Sequence, residues 1–318
     1  MNLLRPAAFL AIAAVGAVHV AAQTRTDAPL RLSDAVVGSV VEYTVKPGDS
    51  LTSIGARMGV DVSTLLQQNG LDLLAALQPG QTLTVDNRHV VPGGVSDALV
   101  VNIPQRMLFS FGPGDEMRGY PVAVGRPTSQ TPTGSFSVLS KRVKPSCDVP
   151  SSIQEEMGRN DRDPVTSVPS GPSNALGDRW LRLSLPNVGI HGTSATQSIY
   201  AVQTDGCIRL HPDDIRDVFE RVALEDAGEV IYEPVLMAQV GDRVFLEVHL
   251  DVYGRRGDPT LTIRRIAAQC PIPELDWAKV RRVVESHDGI AADVTAGGSD
   301  AAEPTIVRWR DAGKVRAR

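Results

Sequence analysis

The apolar positions of this chain change period several times, and each change marks a new element. Ala7 to Val18 is a continuous apolar run behind Arg5, ended by the small residues Val20-Ala21-Ala22. The run is shorter than the roughly 20 residues that cross a bilayer. Its layout is that of a secretory signal over 1–22, cleaved before Gln23. Residues 23–40 show no period and read as a linker. From Val41 to Val45 the pattern alternates as in a strand. Lys46-Pro47-Gly48-Asp49 is a turn, and Ser50 caps a helix with Leu51, Ile54 and Met58 on one face, stopped by Gly59. Ser63 is placed to cap a second helix carrying Leu65 and Leu66 and ending at Asn69-Gly70. After Pro79-Gly80 the alternation returns from Gln81 to Val85. Strand, helix, helix, strand over 41–91 predicts a small sheet covered by two helices.

Pro92 to Ser96 reads as a second linker. Over 97–234 strands dominate: Ala98 to Ile103, Met107 to Phe111 with a hairpin turn at Gly112 to Asp115, Tyr120 to Val124, Ser135 to Ser140, Trp180 to Leu185, Val188 to His191 and a last one from Gly228 to Tyr232. Residues 144–178 are irregular, and so long a loop inside a domain is commonly a lid. Pro212 opens a helix with Ile215, Val218, Phe219 and Val222 on one face. Beyond it lie an extension, 235–289, with a strand from Arg243 to His249 and a helix from Leu275 to Val284, and a tail, 290–318, read as flexible. The fold class is mainly β with some α. No run after the signal is long enough to span a membrane.

Composition narrows the partners. A net charge of −5 and 4% aromatic residues argue against a nucleic-acid surface and against base-stacking platforms. The 3 cysteines are an odd number, so at least one stands outside any intramolecular disulfide. A signal peptide places that thiol in an oxidising compartment, where it needs a reason to stay free.

Cys207 supplies one. It stands in Thr204-Asp205-Gly206-Cys207-Ile208-Arg209, downstream of His191-Gly192-Thr193. A thiolate attacks carbonyls, and a neighbouring imidazole can take the thiol proton. Gly206 lets backbone come close to a substrate, and the N–H groups around Gly206 and Cys207 are candidates for an oxyanion hole. By spacing alone, a buried structural cysteine and a surface histidine remain open. His211 and His249 read as surface or structural residues. No metal-ligand spacing is visible, and no cofactor is implied.

Two stretches resemble known families. Tyr43-Thr44-Val45-Lys46-Pro47-Gly48-Asp49-Ser50-Leu51, Ile54, Asn69-Gly70-Leu71 and Leu77 to Leu83 match the landmarks of a LysM module in order. The resemblance implies binding of N-acetylglucosamine-containing glycan strands, with Gly48, Asp49, Ser50, Leu51, Asn69 and Gly70 as contact candidates. Residues 97–234 resemble the catalytic domain of YkuD-type L,D-transpeptidases, a β-sandwich-like domain. His191-Gly192-Thr193 and Gly206-Cys207-Ile208-Arg209 match its signature, supported by Tyr120 to Gly125, Thr131 to Phe136 and Asn174 to Gly177. The resemblance implies Cys207 as nucleophile and His191 as base. It implies Gly192, Thr193 and Arg209 at the substrate, Arg209 alternatively bracing the loop. The substrate implied is a peptidoglycan stem peptide in the periplasm or cell wall. Its acyl-enzyme, formed with release of D-Ala, passes to a second stem as a 3→3 crosslink, to another amine, or to water. A binding scaffold without turnover is the competing class.

Two departures qualify this. The family's Ser-His before Gly-Cys is Thr204-Asp205 here, and a carboxylate beside a thiol disfavours thiolate. Asp205→His is therefore expected to speed acylation of Cys207. Cys147 stands where a family lid segment has an aromatic. A Cys147–Cys270 disulfide and two buried thiols are the alternatives.

Overall fold

The computed structural model describes residues 31–94, 97–112, 117–148, 151–159, 163–171 and 174–297. The signal-peptide reading and the Gly112–Asp115 turn beyond Gly112 lie outside them. Among the described residues no helix is long and apolar enough to cross a membrane.

The stretch read as a linker is built into the fold from residue 32. Strands β1 (Leu32–Ser33), β2 (Val36–Val37) and β3 (Val40–Thr44) follow one another closely, and Val36 and Val37 are buried. Two-residue strands are too short to show a period, which is why the pattern missed them. Helices α1 (Leu51–Met58) and α2 (Val62–Asn69) come next, then β4 (Thr82–Asp86) and β5 (His89–Val90). β3 and β4 pair antiparallel, and the two helices close over Tyr43, Ile54, Leu65, Leu83 and Val85. Ser50 caps α1 as expected: its side chain accepts from Ser53 N–H while Ser53 returns a bond to Ser50 N–H. The start of α2 differs. Asp61, not Ser63, is the N-cap residue, and its carboxylate makes no cap bond because Arg106 holds both oxygens at 2.8 and 2.7 Å.

The larger sheet has nine strands. In chain order they are β6 (Leu99–Asn102), β7 (Met107–Phe111), β8 (Met117–Gly125), β9 (Gly134–Val143), β12 (Arg179–Leu183), β13 (Gly189–His191), β14 (Val202–Thr204), β15 (Ile208–Leu210) and β16 (Ala227–Ile231). Their spatial order is β14-β8-β15-β13-β12-β9-β16-β6-β7, and β7 pairs again with β8, so the sheet closes on itself. Its core includes Leu99, Tyr120, Val122, Leu181, Ile190 and Ile208. Helix α4 (Pro212–Arg221) adds Ile215, Val218 and Phe219, with Pro212 in its first turn as expected. Within the segment read as irregular, β10 (Cys147–Asp148) pairs antiparallel with β11 (Ser167–Val168), and helix α3 (Ser151–Arg159) lies between them in sequence.

β16 is the last strand of this sheet, and the strand expected from Arg243 lies beyond it, after one that the pattern does not announce. β17 (Val235–Val240) and β18 (Arg243–Val248) form a second sheet with β1 on one side and β19 (Ala292–Asp293) on the other, backed by α5 (Pro259–Gln269) and α6 (Trp277–Ser286). Ile290, Ala291 and Val294 are buried, so the tail is ordered as far as residue 297; its remainder lies outside the described residues. The apolar run of β17 has no polar alternation to announce a strand, because both its faces are covered.

Candidate active site

His191 ends β13, and Cys207 immediately precedes β15. The two strands run parallel in the register Ile190↔Ile208 and His191↔Arg209. Continuing the register sets Cys207 beside Gly189, two residues before His191, and side chains two apart share a face. Trp180, opposite His191 in β12, stacks on the imidazole with centroids 5.8 Å apart at 28°. The indole also covers Gly189, where a Cβ would lie 2.4 Å from the ring, so only glycine fits beneath it. Trp180 was legible only as a strand residue; its place over the histidine depends on the β12–β13 register.

The imidazole is buried, and its Nδ1 lies 2.6 Å from the Gly192 carbonyl. Nδ1 must therefore donate, which leaves the Nε2 lone pair available as a base. Burial pushes the His191 pKa down to about 4, with Arg209 adding to the fall and the Gly192 bond opposing it. Burial likewise pushes the Cys207 thiol up; Asp205 and Cys147 add to that, while the Gly189 backbone and Arg209 oppose it. Near neutral pH the pair is an uncharged imidazole and an uncharged thiol. The carboxylate of Asp205 is therefore a lesser influence on the thiol than burial, and it forms an ion pair with Arg126 at a half-exposed position.

The loop before Cys207 is fixed by its backbone. Gly206 has φ +100°, a conformation that favours glycine. Thr204 Oγ1 donates to the Cys207 carbonyl at 2.5 Å, and Thr131 Oγ1 donates to the Gly206 carbonyl at 2.9 Å. Arg209 Nη1 donates to Ser198 Oγ at 3.0 Å, a contact that braces the stretch joining His191 to Cys207. Thr193 Oγ1 accepts from Ala195 N–H at 3.0 Å in the same stretch. Beyond Thr193 opens a cavity of about 420 Å³, lined by Lys144, Ser170, Gly177, Asp178 and Arg216 among others. Its lid-side wall is organised by buried Asn174, whose Nδ2 donates to Pro145 O at 2.8 Å and whose Oδ1 accepts from Leu176 N–H at 2.8 Å.

None of the three cysteines is in a disulfide, so the Cys147–Cys270 bridge is absent, and both of those residues are half-buried and not the buried thiols of the alternative. Cys270 ends α5, whereas Cys147 sits on β10 within electrostatic reach of Cys207.

The six residues proposed for glycan contact sit at the start of α1 and the end of α2 with the turns beside them, and several hold those turns in shape. Asp49 Oδ2 accepts from Tyr43 Oη at 2.6 Å and from Lys46 N–H at 2.9 Å. Ser50 is the helix cap and Leu51 is buried. Asn69 pairs with the edge of β4 like another strand, exchanging 2.8 Å bonds with Thr84 N–H and C=O. Gly48 and Gly70 have open space around them. The loop after Gly70 exposes Leu73 and Leu74, at 76% and 94%, which the sequence reading passed over.

Residues able to hold a metal ion are found away from the thiol. Donor atoms of His89, Glu247 and His249, all buried, lie within 4.8 Å of one another. They bond one another: Glu247 Oε1 lies 2.8 Å from His89 Nδ1, 2.7 Å from His249 Nε2 and 3.0 Å from Gln105 Nε2, and Oε2 accepts from Val90 N–H. Burial alone would raise the Glu247 carboxyl, but the two histidines hold it down at about 2. Spacing hid this cluster, since its members come from strands 158 residues apart.

Known proteins agree with this architecture. The YkuD L,D-transpeptidase catalytic-domain model matches residues 96–246, and the LysM domain model matches 43–86. A Bacillus subtilis protein named as the L,D-transpeptidase YkuD is 33% identical over 176 residues, spanning 55% of this chain and 90% of that protein. A Salmonella typhimurium protein named as a probable L,D-transpeptidase, ErfK/SrfK, is 26% identical over 277 residues, spanning 82% of this chain and 88% of the other. The chain belongs to the L,D-transpeptidase family and carries a LysM domain ahead of its catalytic domain.

Proposed function

We propose that this protein is an exported peptidoglycan L,D-transpeptidase working through an acyl-enzyme on Cys207. The observation that carries the reading is an uncharged imidazole, locked by Nδ1 to Gly192 O, on the strand beside an uncharged thiol. The sulfur attacks the carbonyl of the third residue of a tetrapeptide stem as its proton passes to His191 Nε2. Backbone N–H groups at Gly206 and Cys207 face the tetrahedral oxyanion. Collapse breaks the peptide bond, the proton goes to the departing D-Ala amine, and a thioester remains. The amine of a second stem then attacks the thioester, gives a proton to His191, and expels the sulfur, which takes that proton back. The product is a 3→3 crosslink. The LysM domain holds the glycan strand while this happens, with Leu73 and Leu74 adding apolar contact to the two turns.

Incubating the protein with disaccharide-tetrapeptide and reading the products by mass spectrometry tests this. Dimer with released D-Ala is expected, and Cys207→Ala removes both. D-Ala release without dimer makes water the acceptor. Unchanged substrate leaves the scaffold reading, which Asp205 favours by disfavouring thiolate.

A further inference from the structure

The turn after β18 returns to the catalytic sheet and ends against the nucleophile loop. Tyr253 lies beyond residues 96–246 and carries no motif. Its hydroxyl donates to the Gly125 carbonyl at 2.5 Å and accepts from Thr131 N–H at 3.2 Å. Thr131, fully buried, accepts from Gly125 N–H at 2.9 Å through its Oγ1, which in turn donates to the Gly206 carbonyl at 2.9 Å. These four bonds link the end of β8, the loop after it, Tyr253 and the residue before the nucleophile. No side chain is tolerated at Gly125, where a Cβ would lie 2.3 Å from Ser129 O and 2.5 Å from Thr131 N.

Tyr253 is itself held from three directions. Its ring stacks on Tyr232 with centroids 5.5 Å apart, and its N–H donates to Tyr232 Oη at 2.7 Å. The Arg255 guanidinium lies over both rings, 5.1 and 5.0 Å from their centroids, and bonds Gln130 Oε1 beside Thr131. Asp251 closes the turn by accepting from Tyr232 Oη at 2.5 Å and from the Arg255 and Arg256 N–H groups at 2.9 and 2.7 Å.

A peptide unit is planar and trans, so its C=O and N–H point opposite ways. Fixing the Gly206 carbonyl on Thr131 therefore fixes the direction of the Cys207 N–H. We propose that Tyr253, acting through Thr131, is a positioning residue that aims the Cys207 N–H at the developing oxyanion. This rests on Cys207 as nucleophile. It gives the C-terminal region a task in the reaction that neither its sequence nor the catalytic-domain boundary suggests. Oxyanion donors act only when aimed at where charge develops, so a small reorientation is felt in acyl transfer and not in simple substitution at sulfur.

The test compares two reagents on Cys207 of the full chain. p-Nitrophenyl acetate acylates through a tetrahedral oxyanion; iodoacetamide alkylates by direct displacement and needs no oxyanion donor. Tyr253→Phe keeps the ring stack and removes the hydroxyl. Its p-nitrophenolate burst is expected to slow about tenfold while alkylation stays within about twofold of wild type, against the about 10²-fold loss for deleting an oxyanion donor outright. Thr131→Val is expected to lose more, and Thr131→Ser to recover most of that loss. A Tyr253→Phe burst within about twofold of wild type, or equal slowing of both reactions, overturns the proposal. A wild-type protein that shows the ester burst and the Tyr253 effect but leaves stem peptides untouched refutes the proposed substrate while supporting the relay.

Discussion

The catalytic sheet meets the rest of the chain at two junctions made of different chemistry. Towards the LysM domain, apolar packing of Ala56 against Met107, Phe109 and Tyr200 is joined by ionic contacts, half-buried at Asp61 and fully buried at Glu247. Arg106 binds both oxygens of Asp61 and stacks 4.0 Å from the centroid of Tyr200, and Glu247 collects His89, His249 and Gln105. At the loop before Cys207 the bonds that fix the backbone come from uncharged hydroxyls: Thr131, Thr204 and Tyr253. Buried charge is costly to place and costly to orphan, so it suits a junction that must stay shut. Hydroxyls orient a peptide without imposing charge on a neighbouring thiol. The difference separates holding the architecture from tuning the reaction, and mutation should pull the two apart.

The largest expected effect on turnover is from Cys207→Ser, which removes transpeptidation to background while thermal melting stays unchanged; residual crosslinking by mass spectrometry would place the nucleophile elsewhere. The largest effect on stability lies at the other junction. Glu247→Gln strips the charge from between two buried histidines and should cost about 3–5 kcal/mol in urea unfolding. A change below about 1 kcal/mol would mean the cluster contributes little beyond packing.

A medium effect concerns pH. In the proposed mechanism the working form of His191 is the neutral one, and its pKa is depressed to about 4, so protonation overtakes it only as pH falls through that value. The acid limb of kcat/KM should therefore lie near pH 4 and not near the ordinary histidine value of about 6.5. A limb centred above 6 would mean that the imidazole is charged in the free protein.

The smallest effects come from the surface. Asp205 is half-exposed and paired with Arg126, so Asp205→Asn should speed iodoacetamide alkylation at pH 7 by less than about threefold. A larger gain would make this carboxylate the main brake on the thiol. Leu74→Ser should weaken sedimentation with insoluble peptidoglycan severalfold and leave the ester burst unaltered. Undiminished sedimentation would remove the exposed leucines from the glycan-binding reading.

Much of the framework was legible because its signals are local. Ser50 caps α1 from three residues away, Pro212 starts α4, and the strand before Gly112 and the helix face of Ile215, Val218 and Phe219 show in their own periods. The motif singles out Cys207 and His191, and the β13–β15 register sets them on one face of the sheet across about fifteen intervening residues. What was missed depends on partners distant in sequence. Asp61 displaced Ser63 at the α2 cap because its oxygens belong to Arg106. β17 and β19 are strands only because β18 lies between them. Cys147 fits a bridge to Cys270 or a buried thiol by sequence, and β10 instead leaves it half-buried within electrostatic reach of Cys207.

The first strand has a consequence for how the chain is made. Leu32 and Ser33 pair with Met237 and Ala238, about two hundred residues later. A chain that emerges N-terminus first must carry β1 unpaired while the LysM and catalytic regions are made, since contacts so distant in sequence close late and slowly. Cutting at the catalytic-domain boundary near residue 246 would divide β18 and leave β1 with a damaged partner sheet. The smallest portion expected to mature correctly therefore reaches β19, because the sheet that receives β1 is completed only by strands made after the catalytic region.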